Sequence, residues 1–139
     1  MTSSRIISSK KTQRKQKKNQ KKQRKTRRQI NIVFVMVFGK IYSNGCGHCQ
    51  AMEADWKALE QKMHPMKSVN IESTNQHTQI PEFNRNYRTN LSIQSGYPTI
   101  FKLNNRRKLQ YYSGGRSTQE MSEWLEGKRN DAGEYIRKQ

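Results

Sequence analysis

The chain has 139 residues and a mass of 16.5 kDa, enough for one compact domain and too little for a large multidomain enzyme. Its formal charge of +18 comes from 28 Lys and Arg against 10 Asp and Glu. Thirteen of the basic residues lie between Arg5 and Arg28 and no acid precedes Glu53, so removing them leaves 15 against 10, a net of +5 from Gln29 onward.

Residues 1–29 are a segment rich in Lys, Arg, Gln, Ser and Thr, with Met1, Ile6 and Ile7 as its apolar residues, and are expected to be disordered because they cannot bury enough apolar area to offset chain entropy. No run reaches the roughly 18 apolar residues of a membrane span, since the longest, Ile30 to Phe38, contains Asn31 and stops at Gly39. A signal peptide is also disfavoured, because the basic region before that run is unusually long and no small-residue cleavage site follows it. Ile32 to Phe38, with Ile41 and Tyr42, reads as a buried central strand.

Ser43-Asn44-Gly45 supplies a turn, and Met52, Trp56, Leu59 and Met63 mark one face of a helix expected from about Cys46 to Met63. Pro65 ends it, and Val69 to Ser73 is a short strand. A short helical pattern follows at Ile80, Phe83 and Tyr87. Tyr97 to Leu103 and Lys108 to Tyr112 read as two strands of a hairpin, and the capping box Ser117-Thr118-Gln119-Glu120 opens a last helix that Gly127 stops. The order β-α-β-α-β-β-α predicts an α/β fold, a mixed β-sheet flanked by helices on both faces. The expected divisions are a disordered basic tail over 1–29, a domain over 30–127 and a polar extension over 128–139.

Only two cysteines are present, at Cys46-Gly47-His48-Cys49. At a strand-to-helix junction the first sulfur meets unpaired amide N–H groups that favour its thiolate, so Cys46 is the expected nucleophile. Cys49, one turn on, can attack a mixed disulfide formed on Cys46. A positive charge from His48 would make the disulfide a better oxidant.

Three motifs, Cys46-Gly47-His48-Cys49, Gly96-Tyr97-Pro98-Thr99-Ile100 and Tyr112-Ser113-Gly114-Gly115-Arg116, occur in the order and approximate spacing of the catalytic domains of protein disulfide isomerases in the thioredoxin superfamily. The chain resembles that family over about residues 32–126. The resemblance implies a thioredoxin-like fold, an attacking Cys46, a resolving Cys49, a cis Pro98 packed near the disulfide and a Tyr97 backbone that binds extended substrate. Gly47 belongs to the same substrate-facing rim. Arg116 matches an arginine that can swing toward the resolving cysteine and favour its thiolate.

Several residues depart from the family pattern. Gly45, Asn44 and Ala54 stand where Trp, Pro and a helix-kinking Pro are usual. Lys40 replaces the buried carboxylate that relays a proton to and from the resolving cysteine, with Glu72 on the next strand as its expected partner. The stretch Arg88 to Ser95 is longer than the family's, and the family's first strand and helix have no counterpart, which makes this a trimmed fold.

A zinc site using His64 and His77 fails on spacing, so no metal and no cofactor are expected. Trp56 and Trp124 read as core residues. The tail, with Lys17, Lys18, Lys21, Lys22, Arg24, Lys25, Arg27 and Arg28 at its densest, suits a polyanion-binding arm over residues 5–28, contacting nucleic acid or another polyanion through charge alone because no aromatic interleaves. A nuclear localisation signal competes with that reading. The sequence thus predicts a thiol-disulfide oxidoreductase or isomerase whose partners are protein thiols and disulfides. The alternative is a nucleic-acid-binding or virion structural protein using the domain as a scaffold. Cytoplasm, nucleus or virion fits better than secretion, and the Lys, Asn and Ile bias fits a large DNA virus.

Overall fold

The computed structural model describes residues 32–137. The chain separates into two units, Met1–Ile32 and Val33–Gln139, and the elements of the described residues lie in the second. The basic tail, including Lys17 to Arg28, lies outside the described residues.

Four strands form one sheet in the order β2-β1-β3-β4. Strand β1 (Val35–Tyr42) is central, parallel to β2 (Lys67–Glu72) and antiparallel to β3 (Thr99–Asn104), which in turn pairs antiparallel with β4 (Leu109–Tyr112). Helices α1 (Gly47–Ala51), α2 (Glu53–Met63), α3 (Gln76–Tyr87) and α4 (Thr118–Leu125) complete the predicted order.

Successive strand residues point to opposite faces, and this splits the core in two. Phe38 and Ile100 meet Met52, Trp56 and Leu59 of the α2 side and Met121, Trp124 and Leu125 of α4. Val37, Ile41 and Phe101 face the other way onto Phe83 of α3 and Leu91. Both faces of the sheet are therefore covered, which is why consecutive residues of β1 (Val37 to Ile41) and all of β3 are buried rather than alternately buried and exposed.

The apolar run before β1 behaves differently from the expected strand. Val33 and Phe34 are half exposed and precede the ladder, where Phe34 exchanges hydrogen bonds with Asn105 through its N–H (3.0 Å) and carbonyl (2.9 Å). Gly39, in the middle of β1, is where the sheet needs the smallest residue. A Cβ there would lie 2.3 Å from the Val69 carbonyl oxygen and 2.7 Å from the Phe101 ring.

The single helix expected over 46–63 is two. Its ladder is interrupted at Met52, whose N–H turns back to the Gln50 carbonyl. This occurs with Ala at position 54, so no proline is required for it.

Residues 128–137 fold back onto the domain. Asp131 accepts from the Trp124 indole N–H (3.0 Å), its carbonyl accepts from the Ser113 N–H (2.7 Å), and Arg129 pairs with Glu123 at 3.1 Å.

Candidate active site

The turn at Ser43-Asn44-Gly45 carries the chain from the end of β1 into α1, held by a hydrogen bond from the Cys46 N–H to the Ser43 carbonyl (3.1 Å). Cys46 is consequently the N-cap of α1, and its sulfur accepts a hydrogen bond from the Cys49 N–H at 3.2 Å. Both cysteines are free thiols, with Cys46 half-buried and Cys49 buried.

Their environments push them apart. The Cys46 thiol is held below the ordinary cysteine range, first by a hydrogen bond from the Cys49 side chain, then by the amide N–H groups of Cys49 and His48, with a smaller contribution from the charge of Arg116. Burial pushes the Cys49 thiol up, and its hydrogen bond to Cys46 adds to that, while the Lys40 charge pulls the other way. The more accessible sulfur is thus the more acidic one.

The loop before β3 closes over this pair. The Tyr97–Pro98 peptide is cis. The Tyr97 carbonyl accepts a hydrogen bond from the Cys46 thiol at 3.5 Å. The Tyr97 hydroxyl donates to the Gln76 side chain at 2.6 Å, anchoring the loop to the start of α3. Thr99 bonds back to the Gly96 carbonyl (2.8 Å), and Gly96 takes a φ of +102°, a conformation suited to glycine. Gly47 has nothing within 4 Å of where a Cβ would stand, so the rim beside Cys46 is open.

His48 is exposed, and its backbone N–H is the part that acts on Cys46. Arg116 is exposed and lines a shallow depression with His48, Ala51 and Met52. In this conformation its charge favours the Cys46 thiolate.

Lys40 is buried in β1 on the same face as Phe38, with its ammonium 4.7 Å from the Tyr42 ring centre and 5.2 Å from that of Trp56. Its partner is Glu53, at 2.8 Å, rather than the expected Glu72. Glu72 is turned away to cap the short helix Ser73–Asn75, accepting from the Thr74 N–H (2.7 Å), the Thr74 hydroxyl and the Ser73 hydroxyl (2.9 Å). Its own needs are met locally, which leaves Lys40 to the helix. Glu53 opens α2 four residues beyond Cys49 and lines a cleft with Cys49, Tyr42 and Gln50. Sequence reasoning missed it, although an i, i+4 spacing from Cys49 was the available signal.

An α/β sheet of this topology with a Cys-X-X-Cys pair at the end of its central strand and a cis-proline loop against the first sulfur defines a thioredoxin-like domain. The chain belongs to the thioredoxin family, whose sequence model, "Thioredoxin", matches residues 18–127. The match begins inside the basic segment, earlier than the motifs alone reach. Among individual proteins, the thioredoxin domain-containing protein 5 homolog of Drosophila melanogaster is 30% identical over 90 residues, which are 65% of this chain and 21% of that protein. The chain therefore spans about a fifth of that relative's length. The J-Trx1 fragment of ERdj5 has a similar fold, with a TM-score of 0.52 and 16% identity over 66% of this chain and 41% of that one. The first thioredoxin domain of mouse protein disulfide-isomerase A4 gives a TM-score of 0.48 and 19% identity, covering 78% of this chain and 70% of that one.

Proposed function

We propose that the protein is a thiol-disulfide oxidoreductase acting on protein disulfides, with Cys46 as the attacking sulfur and Cys49 as the resolving one. The observation that carries this reading is the division between the two thiols. Cys46 is accessible and acidified, and Cys49 lies behind it, buried and made less acidic.

In the reducing direction the Cys46 thiolate attacks one sulfur of a substrate disulfide, forming a mixed disulfide and releasing the other sulfur as a thiolate, which takes a proton from water. Cys49, having lost its proton, then attacks the Cys46 sulfur. The Cys46–Cys49 bond forms, the bond to substrate breaks, and the electron pair leaves on the second substrate sulfur. The substrate gains two electrons and the cysteine pair loses them. Reversal oxidises substrate dithiols, and attack without resolution permits isomerisation.

The Tyr97 and Pro98 backbone and Gly47 form the surface beside Cys46 on which an extended substrate would lie. Arg116, exposed and near the pair, is the charge available to either thiolate. Lys40 is the cation beside Cys49, in the position that the family resemblance gives to a carboxylate, and assists resolution.

The test is equilibration of the purified full chain with glutathione buffers, followed by mass spectrometry of the Cys46–Cys49 pair. A reversible two-electron transition, abolished in Cys46→Ser and trapped as a mixed disulfide in Cys49→Ser, is expected. A pair that neither forms a disulfide nor traps a mixed one would overturn the reading.

A further inference from the structure

Lys40 is a buried cation whose side chain is 3% exposed, and its ion-pair partner Glu53 is 47% exposed at the mouth of the cleft that Cys49 lines. A buried ammonium needs a partner close by. The rings of Tyr42 and Trp56 fix the Lys40 side chain from the sheet and helix sides, so its ammonium has little freedom to follow a moving carboxylate. Glu53 also has Lys57 4.0 Å from its other oxygen, on its solvent side. The three charges run in order from the interior outward: Lys40, Glu53, Lys57.

From this geometry we infer that Glu53 is a positioning residue for disulfide exchange: it offsets the Lys40 charge beside Cys49 and thereby sets how readily Cys49 attacks the mixed disulfide on Cys46. The inference rests on the reading of Cys49 as the resolving cysteine.

The physical basis is the sign of each charge felt at the Cys49 sulfur. Lys40 favours the thiolate against the cost of burial, and a carboxylate 2.8 Å from the ammonium cancels part of that field. Replacing Glu53 by Gln keeps an oxygen that can accept from the ammonium and removes the cancelling charge. Replacing Lys40 by Met removes the favourable charge itself. The two substitutions break the same ion pair and are expected to move Cys49 in opposite directions. A merely structural ion pair would not behave so, because losing either partner would then have the same effect.

The experiment uses the full chain. A mixed disulfide between Cys46 and glutathione is prepared at low pH, where the free Cys49 thiol is protonated and does not attack, exchange is started by a jump to neutral pH, and release of glutathione reports resolution by Cys49. In a Cys46→Ser background, the ultraviolet absorbance of the thiolate gives the Cys49 titration directly. Glu53→Gln is expected to speed resolution by about fivefold, corresponding to somewhat under one unit in the Cys49 titration. Lys40→Met should slow it by roughly tenfold. Glu53→Asp, which restores the charge, should return the rate toward that of the parent. Unchanged Cys49 titration in Glu53→Gln, or a shift in the same direction as in Lys40→Met, would overturn the inference. If the parent protein forms no mixed disulfide at all, the oxidoreductase reading fails, and that result is distinct because it appears before any change at Glu53. Because Glu53 is half exposed, the Gln and Asp variants leave the core untouched, and a thermal unfolding curve on each verifies it.

Discussion

The carbonyl oxygen of Tyr97 lies 3.5 Å from the sulfur of Cys46, joining two residues 51 positions apart in the chain. Under the proposed function, the Cys46 sulfur on one side and the Tyr97 backbone edge on the other would give an extended peptide two attachments at once. The same arrangement leaves Cys49 behind, reachable from the cleft beside Tyr42 and Glu53.

Cys46 is therefore expected to react with iodoacetamide at neutral pH much faster than Cys49, as read by mass spectrometry of the reduced protein after limited treatment. The influence of His48 is expected to come through its amide. His48→Pro removes the N–H that favours the Cys46 thiolate and should make the pair more reducing against glutathione, whereas His48→Ala retains the N–H and should shift it less. Equal shifts in the two variants would instead assign the effect to the imidazole.

Gly39→Ala is expected to be among the most damaging small substitutions in the domain. The new methyl would stand 2.3 Å from the Val69 carbonyl oxygen in the β1–β2 ladder, and that oxygen cannot retreat without opening the pairing. A loss of about 2–4 kcal/mol, or no folding, is expected from overpacking at such a site. Gly47→Ala is the control. Nothing lies within 4 Å of the added methyl, so urea unfolding should change by no more than about 0.5 kcal/mol.

The fold was legible because strand and helix periodicities in this chain agree with the layers they build. Val37 and Phe38 alternate onto two cores, and Trp56 and Leu59 return on one helical face. The interruption at Met52 was not legible, since neither Pro nor Gly marks it. At the site, the strand-to-helix junction located the two cysteines, while the cis bond at Pro98 was implied only by the family resemblance. The Lys40–Glu53 pair was not legible, because Glu72 on the adjacent strand is as near a carboxylate in the sequence pattern. A carboxylate followed by Ser73 and Thr74 bonds locally instead, and that local competition can be read only once the turn after β2 is known.

The tail yields a prediction from charge alone. Removing residues 1–28 takes away 13 positive charges and leaves every motif of the site in place. The full chain should bind duplex DNA or heparin with an affinity that falls linearly with salt on logarithmic axes, at a slope set by the number of anionic groups neutralised. The shortened chain should keep thiol exchange with a small peptide disulfide and lose most of that salt slope. Undiminished binding after truncation would reject the polyanion-binding arm.

Lys102 offers a test of what a buried charge costs this domain. It lies in β3 with its ammonium 2.8 Å from the Trp124 carbonyl oxygen and 4.4 Å from that residue's ring centre. Burial pushes it below the ordinary lysine value of 10.5, against the nearby charge of Asp131. Between the folded and unfolded values the unfolded chain binds more protons than the native one, so stability rises with pH through that window and the penalty is fully present below it. The Trp124 carbonyl also accepts from the Gly127 N–H at 3.1 Å, so it stays satisfied without the lysine. Lys102→Met should therefore be neutral or stabilising by about 1–2 kcal/mol at neutral pH. Its unfolding free energy should also vary less than that of the parent as pH rises toward the ordinary lysine value of 10.5. A destabilised Lys102→Met with an unchanged pH slope would show that the hydrogen bond to Trp124 outweighs the cost of burying the ammonium.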